Sequence, residues 1–454
     1  MNTPEEIKTE IEPVLYSRNE HCLSRSNIDP DALKIMYRLI RHGYKAYLVG
    51  GGVRDLLLKK KPKDFDIATD ATPRRIKSLF RNCRIIGRRF KLAHIYFRGN
   101  KIIEVSTFRD IDAPIDASAP PEAPNTHQNN TFGTAATDAT RRDLTINGLF
   151  YDLATFSIID YVGGMKDHEA QIIRIIGDPD VRFHEDPVRM IRAVRHAARA
   201  KFSIEASCWD SIQNNHELIK TASPVRIYEE VRKDLCSHAG LSITRLLAQS
   251  NLLQHLIPEL LLNDSVLLKE GSFFAQVFTR IEASSVADED FTITSVLAVI
   301  ALFLSCYPES SEALHVYFED REELSDHLSS CFVKLAVPRK ERERIEDVLI
   351  LWHRLKNMPV DKAKKTNLER RRCISELYYI LLWLSENPEE DELLCAVEKA
   401  RHKRTSGSNQ RRRSRSTSPK QDNTDSGRSR GTRNRSRGNG RRSRPRSTEE
   451  TQES

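Results

Sequence analysis

A run of three glycines between an apolar strand and a helix places the strongest constraint on what this chain can fold into. "KAYLVG" is typical of a short buried strand and "GGVRDLLLKK" of a following helix, with Gly50, Gly51 and Gly52 at their junction. Only 18 of the 454 residues are glycine. Glycine lets a backbone approach a bulky group closely, and the free N–H groups of a helix start attract anions. The pattern fits a phosphate site or a turn shaped by packing.

Two aspartates follow the turn closely. "DFDIATD" predicts a second strand, with Asp64 and Asp66 two positions apart. Side chains at i and i+2 of a strand share a face, where two carboxylates repel each other unless a cation neutralises them. Mg²⁺ favours such hard oxygen ligands together with substrate phosphates. An isolated pair of this kind is more simply an exposed acidic strand end.

Glu104 is the third candidate ligand. It lies in "KIIEVSTF", a β-branched and apolar run in which a charge is costly without a partner. The alternative is a surface position on an edge strand. With Asp64 and Asp66 it would complete a three-carboxylate cluster for two metal ions. One ion would activate an attacking oxygen while the other stabilises a leaving pyrophosphate, which is the chemistry of nucleotidyl transfer.

The order of patterns predicts an α/β head with a mixed sheet, followed by an all-α neck and body. Strand and helix signals alternate to about residue 160, with Thr72 as the N-cap of "PRRIKSLF". Two β-rich runs flank Gly99 and predict one hairpin, and a second hairpin is expected between about Phe156 and Ile176. Residues 110–130 are polar and rich in Pro and Ala, which predicts a mobile loop.

The predicted organisation has five segments. They are a loosely ordered lead-in over 1–32, a head over 33–160, a neck with base-recognition and RNA-binding roles over 161–240, a helical body over 241–400, and a disordered tail over 401–454. The most apolar run, "ITSVLAVIALFLSCY", is too short for a comfortable membrane span, so we expect a buried helix there.

Charge is distributed unevenly along the chain. The net charge is +8, but residues 401–454 carry 17 Lys and Arg against 5 Asp and Glu, leaving 55 against 59 in the first 400 residues. Arginine binds phosphates and stacks on bases, so the Arg/Ser-rich tail is suited to single-stranded RNA. The eight cysteines include no C-x-x-C pair, and the N-terminus is acidic rather than apolar. We therefore expect a soluble cytoplasmic protein with no disulfide framework, zinc site or signal peptide.

Several motifs appear in a fixed order between Leu48 and Ile204. They are "LVGGGVRD", "DFD", "IEVSTFR", "RRDLTINGLFYD", "DYVGGMKD", "RIIGDP" and "EDPVRMIRAVRHAARA". Together they resemble the class II nucleotidyltransferases, which include bacterial poly(A) polymerases and CCA-adding tRNA nucleotidyltransferases. The resemblance implies a polymerase-β-like palm in the head. It also implies template-independent addition of nucleotides from ATP to single-stranded RNA 3′ ends, with two Mg²⁺ ions.

The same resemblance implies roles for individual residues. Asp64 and Asp66 would bind metal and carry catalysis, with Glu104 beside them. The residues that would hold the nucleotide in the head are Gly50, Gly51, Arg54 and Arg142. Asp143 would be a further active-site carboxylate, although from its position alone it is a helix cap.

The motif "EDPVRMIRAVR" predicts a helix that begins near Pro187. Arg189, Arg192 and Arg195 recur every three residues and share a face, which by itself indicates a solvated basic stripe, with Asp186 as N-cap. By resemblance, Asp186 would accept a hydrogen bond from the amine of the incoming base. Arg189 would donate to a ring nitrogen and Arg192 would contact the nucleotide. This arrangement suits A and C and excludes G and U.

Two features favour adenylate addition over CCA addition. "IIGRRFKLAHIYF" resembles a stretch associated with the poly(A) polymerase branch, with Arg88 and Arg89 adding phosphate-facing charge. The second feature is the basic tail. CCA addition remains the alternative. A non-enzymatic RNA-binding protein on a degenerate fold is disfavoured by the intact carboxylates, and protein partners such as RNA-degradation or RNA-chaperone factors are not identified by the sequence.

Overall fold

The computed structural model describes residues 11–87, 91–110, 132–258, 271–284, 294–300, 320–332, 335–359, 361–362, 367–385 and 391–416. The chain divides into two compact units, residues 1–403 and 404–454. The first unit contains a mixed sheet followed by a long series of helices. This is the predicted architecture of an α/β head with a helical neck and body.

An eight-stranded sheet forms the head. Its strands are β1 Val14–Tyr16, β2 Ala46–Val49, β3 Asp66–Thr69, β4 Cys83–Ile86, β5 Leu92–Tyr96, β6 Ile102–Thr107, β7 Leu149–Asp152 and β8 Ser157–Asp160. They lie in the order β1-β8-β7-β2-β3-β6-β5-β4. β3 and β6 run parallel and the other neighbouring pairs run antiparallel, so the sheet is mixed as predicted.

Helices accompany the strands and continue through the rest of the first unit. In chain order they are α1 Pro30–Arg41, α2 Gly51–Leu57, α3 Pro73–Leu79, α4 Ala135–Thr140, α5 Gly164–Ala170, α6 Pro179–Glu185, α7 Val188–Ala200, α8 Ala206–Asn215, α9 Pro224–Leu235, α10 Gly240–Gln249, α11 Leu253–Leu256 and α12 Phe273–Ala283. Further helices occupy 294–300, Arg321–Phe332, Arg339–Lys356, Ile374–Leu384 and Glu392–Ser416. The oxygen of Thr72 accepts the backbone N–H of Arg75, which confirms the predicted N-cap of α3.

The sheet separates two apolar cores because successive strand residues point to opposite faces. Leu48 and Ile67 pack with α1 on one face, whereas Val49 and Ala68 pack with Phe108 on the other. The C-terminal end of β2 and the N-terminal end of β3, two central strands, are therefore packed on both faces. The glycine turn and Asp66 lie at this end of the two strands.

The neck and body share one continuous core, which runs from Leu144 to Ala400. Residues 294–300 are helical and buried within it, as expected for the apolar run that contains them. Among the described residues, no helix is both long enough and apolar enough to span a membrane. A short parallel pair, β9 Ile172–Ile173 with β10 Ser203–Ile204, contributes Ile173 to this core.

Three expectations require correction. The lead-in is not loosely ordered throughout, because Val14–Tyr16 pairs with β8 and extends the sheet. The hairpin expected over 156–176 is wrong: β8 pairs with β7, and residues 164–170 form a helix. The helix Glu392–Ser416 passes residue 401, where the disordered tail was expected to begin. Arg88, Arg89, residues 111–130 of the predicted loop and residues 417–454 of the tail lie outside the described residues.

Candidate nucleotide and metal site

The glycine turn between β2 and α2 depends on Gly50. Its φ of +66° lies in the left-handed region that side chains disfavour. A Cβ at this position would also stand 3.2 Å from Nη1 of Arg142. Gly52 packs over the DFD segment, because a Cβ there would lie 3.5 Å from the carbonyl oxygen of Asp64. The turn therefore brings Arg142 and the first aspartate to the same place.

Asp66 and Glu104 are neighbours on one face of the sheet. Ile67 is aligned with Val105 across the parallel strands β3 and β6, so the residues just before them lie side by side. Burial, and then the charges of Glu104 and Asp64, raise the pKa of Asp66 to about 6. The three predicted carboxylates therefore act on one another electrostatically.

Asp64 lies near Asp66 for a different structural reason from the one expected. Strand β3 begins at Asp66, so Asp64 is an exposed loop residue and the two-residue strand spacing does not apply to it. Its place follows from the packing of its backbone against Gly52. Glu104 is half-exposed, and one of its oxygens lies 3.2 Å from Nε2 of His94 on the adjacent strand.

The chemistry of these oxygens fits a hard divalent cation. A carboxylate whose pKa is raised by burial and by neighbouring carboxylates, as that of Asp66 is, is a group that a bound cation neutralises. Among the described residues, however, no three His, Cys, Asp or Glu side chains are gathered closely enough to hold a metal ion. The side chains that could hold one after a change of rotamer are Asp64, Asp66 and Glu104.

Arg142 is fixed beside the glycine turn by three contacts. Its Nη2 lies 2.9 Å from Oδ2 of the buried Asp138, and its guanidinium lies 5.2 Å from the ring centroid of Phe150. Its Nη1 donates to the carbonyl oxygen of Asn147 at 3.4 Å. Asp138 was not among the predicted site residues, although its i, i+4 spacing from Arg142 is a signal for a helical ion pair.

Asp143 lies in a separate, buried cluster. Its Oδ1 accepts hydrogen bonds from the backbone N–H of Leu144 and from Nδ2 of Asn147, and its Oδ2 pairs with Arg192 at 2.6 Å. Burial raises the pKa of Asp143, but the charge of Arg192, the electrostatic effect of His196 and the hydrogen bonds from Arg192 and Asn147 together outweigh it and hold that pKa well below its usual range. The role of Asp143 as a catalytic carboxylate remains a prediction. In this structure Asp143 forms an ion pair with Arg192 of the neck.

Arg54 is nearly buried under the glycine turn. Its Nε and Nη2 donate to Oδ1 of Asp55, and its Nη1 donates to Oδ1 of Asn147 at 2.8 Å and to Nδ1 of His196 at 3.1 Å. Asn147 and His196 were not predicted from the sequence. Each is an uncharged polar residue in an otherwise apolar or basic helical pattern, which is a weak signal.

The arginines of α7 do not form a solvated stripe. Arg189 pairs with Glu185 at 2.8 Å and Arg192 with Asp143. Arg195 is buried and pairs with two carboxylates, those of Glu230 and Asp234. All three of these arginines are thus ion-paired rather than merely solvated.

Asp186 immediately precedes α7. Its Oδ1 receives a long hydrogen bond of 3.4 Å from the backbone N–H of Val188, so the expected cap is weak. Its Oδ2 accepts a hydrogen bond from Nη2 of Arg226 at 2.8 Å. Nη1 of Arg189 contacts the carbonyl oxygen of Arg182 and Glu185. Among the described residues, the Oδ1 atom of Asp186 therefore accepts only a long hydrogen bond, and Arg189 uses Nη1 for both of its contacts.

A cleft of about 1050 Å³ opens between the loop after α2 and helices α7 and α9. Its basic lining residues are Arg54, Lys60, Lys61, Lys63, Arg199, Lys201, Arg232 and Lys233, and its acidic ones are Asp55, Asp64, Glu229 and Glu282. Burial and the neighbouring charge of Arg54 lower the pKa of Arg199. Within the described residues, Lys61, Arg199 and Lys201 have no carboxylate partner within 4.0 Å, so positive charge in the cleft exceeds negative charge.

The fold and this site combine a mixed sheet, adjacent carboxylates beside a glycine turn and a helical neck, which are the features that the motif resemblance predicts for a nucleotidyltransferase head. Comparisons with known proteins agree. Residues 46–174 match the family model described as the Poly A polymerase head domain. Residues 201–262 match the model described as the probable RNA and SrmB-binding site of polymerase A.

Similar proteins include both branches of the class II nucleotidyltransferases. The chain is 48% identical over 245 residues to poly(A) polymerase I of Escherichia coli, covering 53% of this chain and 52% of that protein. It is 40% identical over 202 residues to the CCA-adding enzyme of Lactobacillus helveticus, covering 44% and 49%. The chain thus spans about half the length of the curated relatives it matches. The resemblance indicated by the sequence motifs is confirmed.

The fold is shared with a solved structure, the Bacillus stearothermophilus CCA-adding enzyme in complex with CTP. The TM-score is 0.60 at 24% identity, covering 84% of this chain and 83% of that one. This likeness extends well beyond the head and supports the architecture of a sheet-containing head followed by a helical neck and body.

Proposed function

We propose that this protein is a template-independent polynucleotide adenylyltransferase that adds AMP from ATP to RNA 3′ ends and releases pyrophosphate, in cytoplasmic mRNA polyadenylation and RNA turnover. The observation that carries the proposal is the pairing of Asp66 with Glu104 beside the glycine turn, with the pKa of Asp66 raised to about 6. Carboxylates with perturbed pKa values beside a candidate phosphate-binding turn are typical of an active site.

Asp64, Asp66 and Glu104 would hold two Mg²⁺ ions. When bound, Mg²⁺ supplies a Lewis acid that favours ionisation of the 3′ hydroxyl and neutralises charge on the departing pyrophosphate. The carboxylates contribute the negative charge that attracts the cation. Because the pKa of Asp66 is raised to about 6, a proton competes with the cation for this carboxylate as the pH falls toward that value.

Gly50, Gly51, Arg54 and Arg142 would hold the nucleotide. Arg142 lies over Gly50, and Nη2 of Arg54 would stand 3.4 Å from a Cβ at Gly51, so both guanidinium groups border the turn. Guanidinium groups held in place by carboxylates retain donors for phosphate oxygens. A side chain at either glycine would meet these guanidinium groups.

Asp186 and Arg189 would read the base, and Arg192 would support them through Asp143. Oδ1 of Asp186 accepts only a long hydrogen bond, so it remains able to accept the exocyclic amine of A or C. Arg189 carries N–H groups beyond those used by Glu185 and Arg182. G and U present a carbonyl oxygen where this carboxylate needs a donor, so both are disfavoured.

The RNA would occupy the basic cleft. Asp64 lies at its border, which links the cations of the cleft to the proposed reaction centre. Uncompensated Lys and Arg side chains bind the phosphate backbone without regard to sequence. The match to an RNA-binding family model over residues 201–262 includes Lys201, Arg232 and Lys233 and supports this assignment.

CCA addition is the second candidate, because one relative with 40% identity is a CCA-adding enzyme and because the Asp186–Arg189 pair suits both A and C. Poly(A) addition is favoured by the higher identity of 48% over a longer segment. The test is to supply each nucleotide separately, with Mg²⁺, to a plain RNA primer and to a tRNA lacking its terminus. Long adenylate products on both substrates support the proposal. A stop after three nucleotides on tRNA supports the alternative, and no extension of either rejects both.

A further inference from the structure

Nearly all N–H groups of the Arg54 guanidinium donate hydrogen bonds to other side chains of the protein. A guanidinium has five N–H groups. Four hydrogen bonds use them within the described residues: two to Asp55, one to Asn147 and one to His196. One N–H on Nη2 remains. Nη2 is also the guanidinium atom nearest to Gly51, at 3.4 Å from the position of a Cβ there.

The contact with His196 determines the state of the imidazole. Arginine only donates hydrogen bonds, so Nδ1 of His196, which lies 3.1 Å from Nη1 of Arg54, must accept. The imidazole is therefore neutral and carries its proton on Nε2. Burial and the charge of Arg54 lower the pKa of His196, with Arg192 and Arg195 lowering it further and Asp143 acting against them.

His196 belongs to the neck, whereas Arg54 belongs to the head. One helical turn before His196, Arg192 pairs with Asp143. Asn147 completes the connection, because its oxygen accepts from Arg54 and its nitrogen donates to Asp143. Helix α7 thus contacts the head at two positions four residues apart, and one of these positions controls the orientation of Arg54.

We propose that His196 is a positioning residue for nucleotide binding: by accepting one N–H of Arg54, it determines which N–H remains for the phosphates and makes that contact depend on docking of the neck. The inference rests on the proposed function, since it requires Arg54 to hold the triphosphate. His196 itself contacts Arg54 rather than the ligand. Without it, one N–H of Nη1 would lose its acceptor, and only Asp55 and Asn147 would orient the guanidinium among the residues that the structure describes.

The test compares His196→Leu with His196→Gln. Leucine removes the acceptor, whereas glutamine keeps an amide oxygen that can accept from Arg54. We expect His196→Leu to raise the KM for ATP about ten-fold with kcat nearly unchanged, because a charged hydrogen bond that acts on binding is lost. His196→Gln should recover most of the affinity. Equal KM values for wild type and His196→Leu, or equal losses in both variants, would overturn the proposal.

A double-mutant cycle separates positioning from folding. In an Arg54→Ala background, His196→Leu should cause no further rise in KM, because its effect passes through Arg54. An additive rise would show that His196 acts elsewhere. Equilibrium binding of ATP to each variant provides a second measurement. If the wild type extends no RNA the proposed function fails, whereas the ATP-binding comparison still decides whether His196 positions Arg54.

Discussion

Arg192 of the neck helix is ion-paired with Asp143 of the RRD motif, with its Nη2 2.6 Å and its Nε 2.7 Å from the same carboxylate oxygen. The Asp143 side chain is 12% exposed and that of Arg192 is 37% exposed, so the pair joins head and neck at a partly solvated position. Removing the carboxylate would leave Arg192 with Glu230, at 3.9 Å, as its acidic neighbour among the described residues. The relative position of the glycine turn and the base-reading helix therefore depends on this contact.

The first prediction concerns this pair. Asp143→Asn should lower the free energy of unfolding by about 1–3 kcal/mol, because the charge-assisted contact with the partly exposed Arg192 is lost. Denaturant unfolding at pH 7 measures it. The exposed Asp210→Asn on α8 is the control and should change stability by less than about 0.5 kcal/mol. A loss as small as that of the control would mean that the pair does not hold the two regions together.

The pH dependence of this pair has a definite sign. The pKa of Asp143 is depressed in the folded protein, so its stabilisation is present above the ordinary aspartate pKa and is lost as pH falls through the depressed value. Acid unfolding of the wild type should therefore be steeper than that of Asp143→Asn. Parallel acid-unfolding curves for the two proteins would contradict the assignment.

A second prediction concerns catalysis by the carboxylates of Asp64 and Asp66. Asp66→Asn and Asp64→Asn should each reduce RNA extension at least about 100-fold, because each removes a proposed Mg²⁺ ligand. RNA binding should persist, since the cations of the cleft are untouched. Primer-extension rates and filter binding measure the two properties separately. Near-normal extension by either variant would reject the metal assignment.

The raised pKa of Asp66 predicts a gain in stability when it is replaced. Its folded-state pKa of about 6 exceeds the ordinary value of 3.8, so ionised Asp66 destabilises the metal-free fold increasingly as pH rises between these two values. At pH 7, Asp66→Asn should stabilise the metal-free protein by about 3 kcal/mol. Mg²⁺ should raise the melting temperature of the wild type more than that of the variant. A destabilised variant at pH 7 would contradict this account.

Two arginines one turn apart on α7 should behave differently. Arg195 is buried between Glu230 and Asp234, so Arg195→Ala should destabilise the protein by about 3–5 kcal/mol. Arg199 has no carboxylate partner within 4.0 Å in the described part of the chain, so Arg199→Ala should change stability by less than about 0.5 kcal/mol and weaken RNA binding. Calorimetry and RNA titration distinguish them. Equal melting temperatures for both variants would be inconsistent with the buried pairing.

The structure shows where the basic tail should be truncated to test its role in RNA binding. Arg401 lies over Tyr378 at 4.1 Å, so a deletion from residue 401 would also disturb the first unit. Deleting 417–454 instead removes ten Lys and Arg beyond the helix Glu392–Ser416. We expect weaker RNA binding with a shallower dependence on salt, and an unchanged rate at saturating RNA. A salt slope equal to that of the full chain would exclude the tail from RNA binding.

Much of the head could be predicted from local patterns. Strand β2, helix α2, the cap at Thr72 and the hairpin around Gly99 follow from apolar spacing and turn residues, which act over a few positions. Strand β1 was missed because Val14–Tyr16 is short and exposed, and only pairing with β8 makes it a strand. The hairpin expected after Phe156 failed because β8 pairs with the preceding strand.

The sequence by itself determined the identity of the chemical groups: carboxylates at 64, 66 and 104, glycines at the turn, and arginines along α7. Tertiary structure decided which of them meet. The parallel register of β3 and β6 brings Asp66 beside Glu104. The packing of α7 against the head pairs Arg192 with Asp143 and places Nδ1 of His196 within hydrogen-bond distance of Arg54. The physical reason is range: backbone preferences act between near neighbours, whereas a buried charge takes its partner from whichever element the packed core places against it.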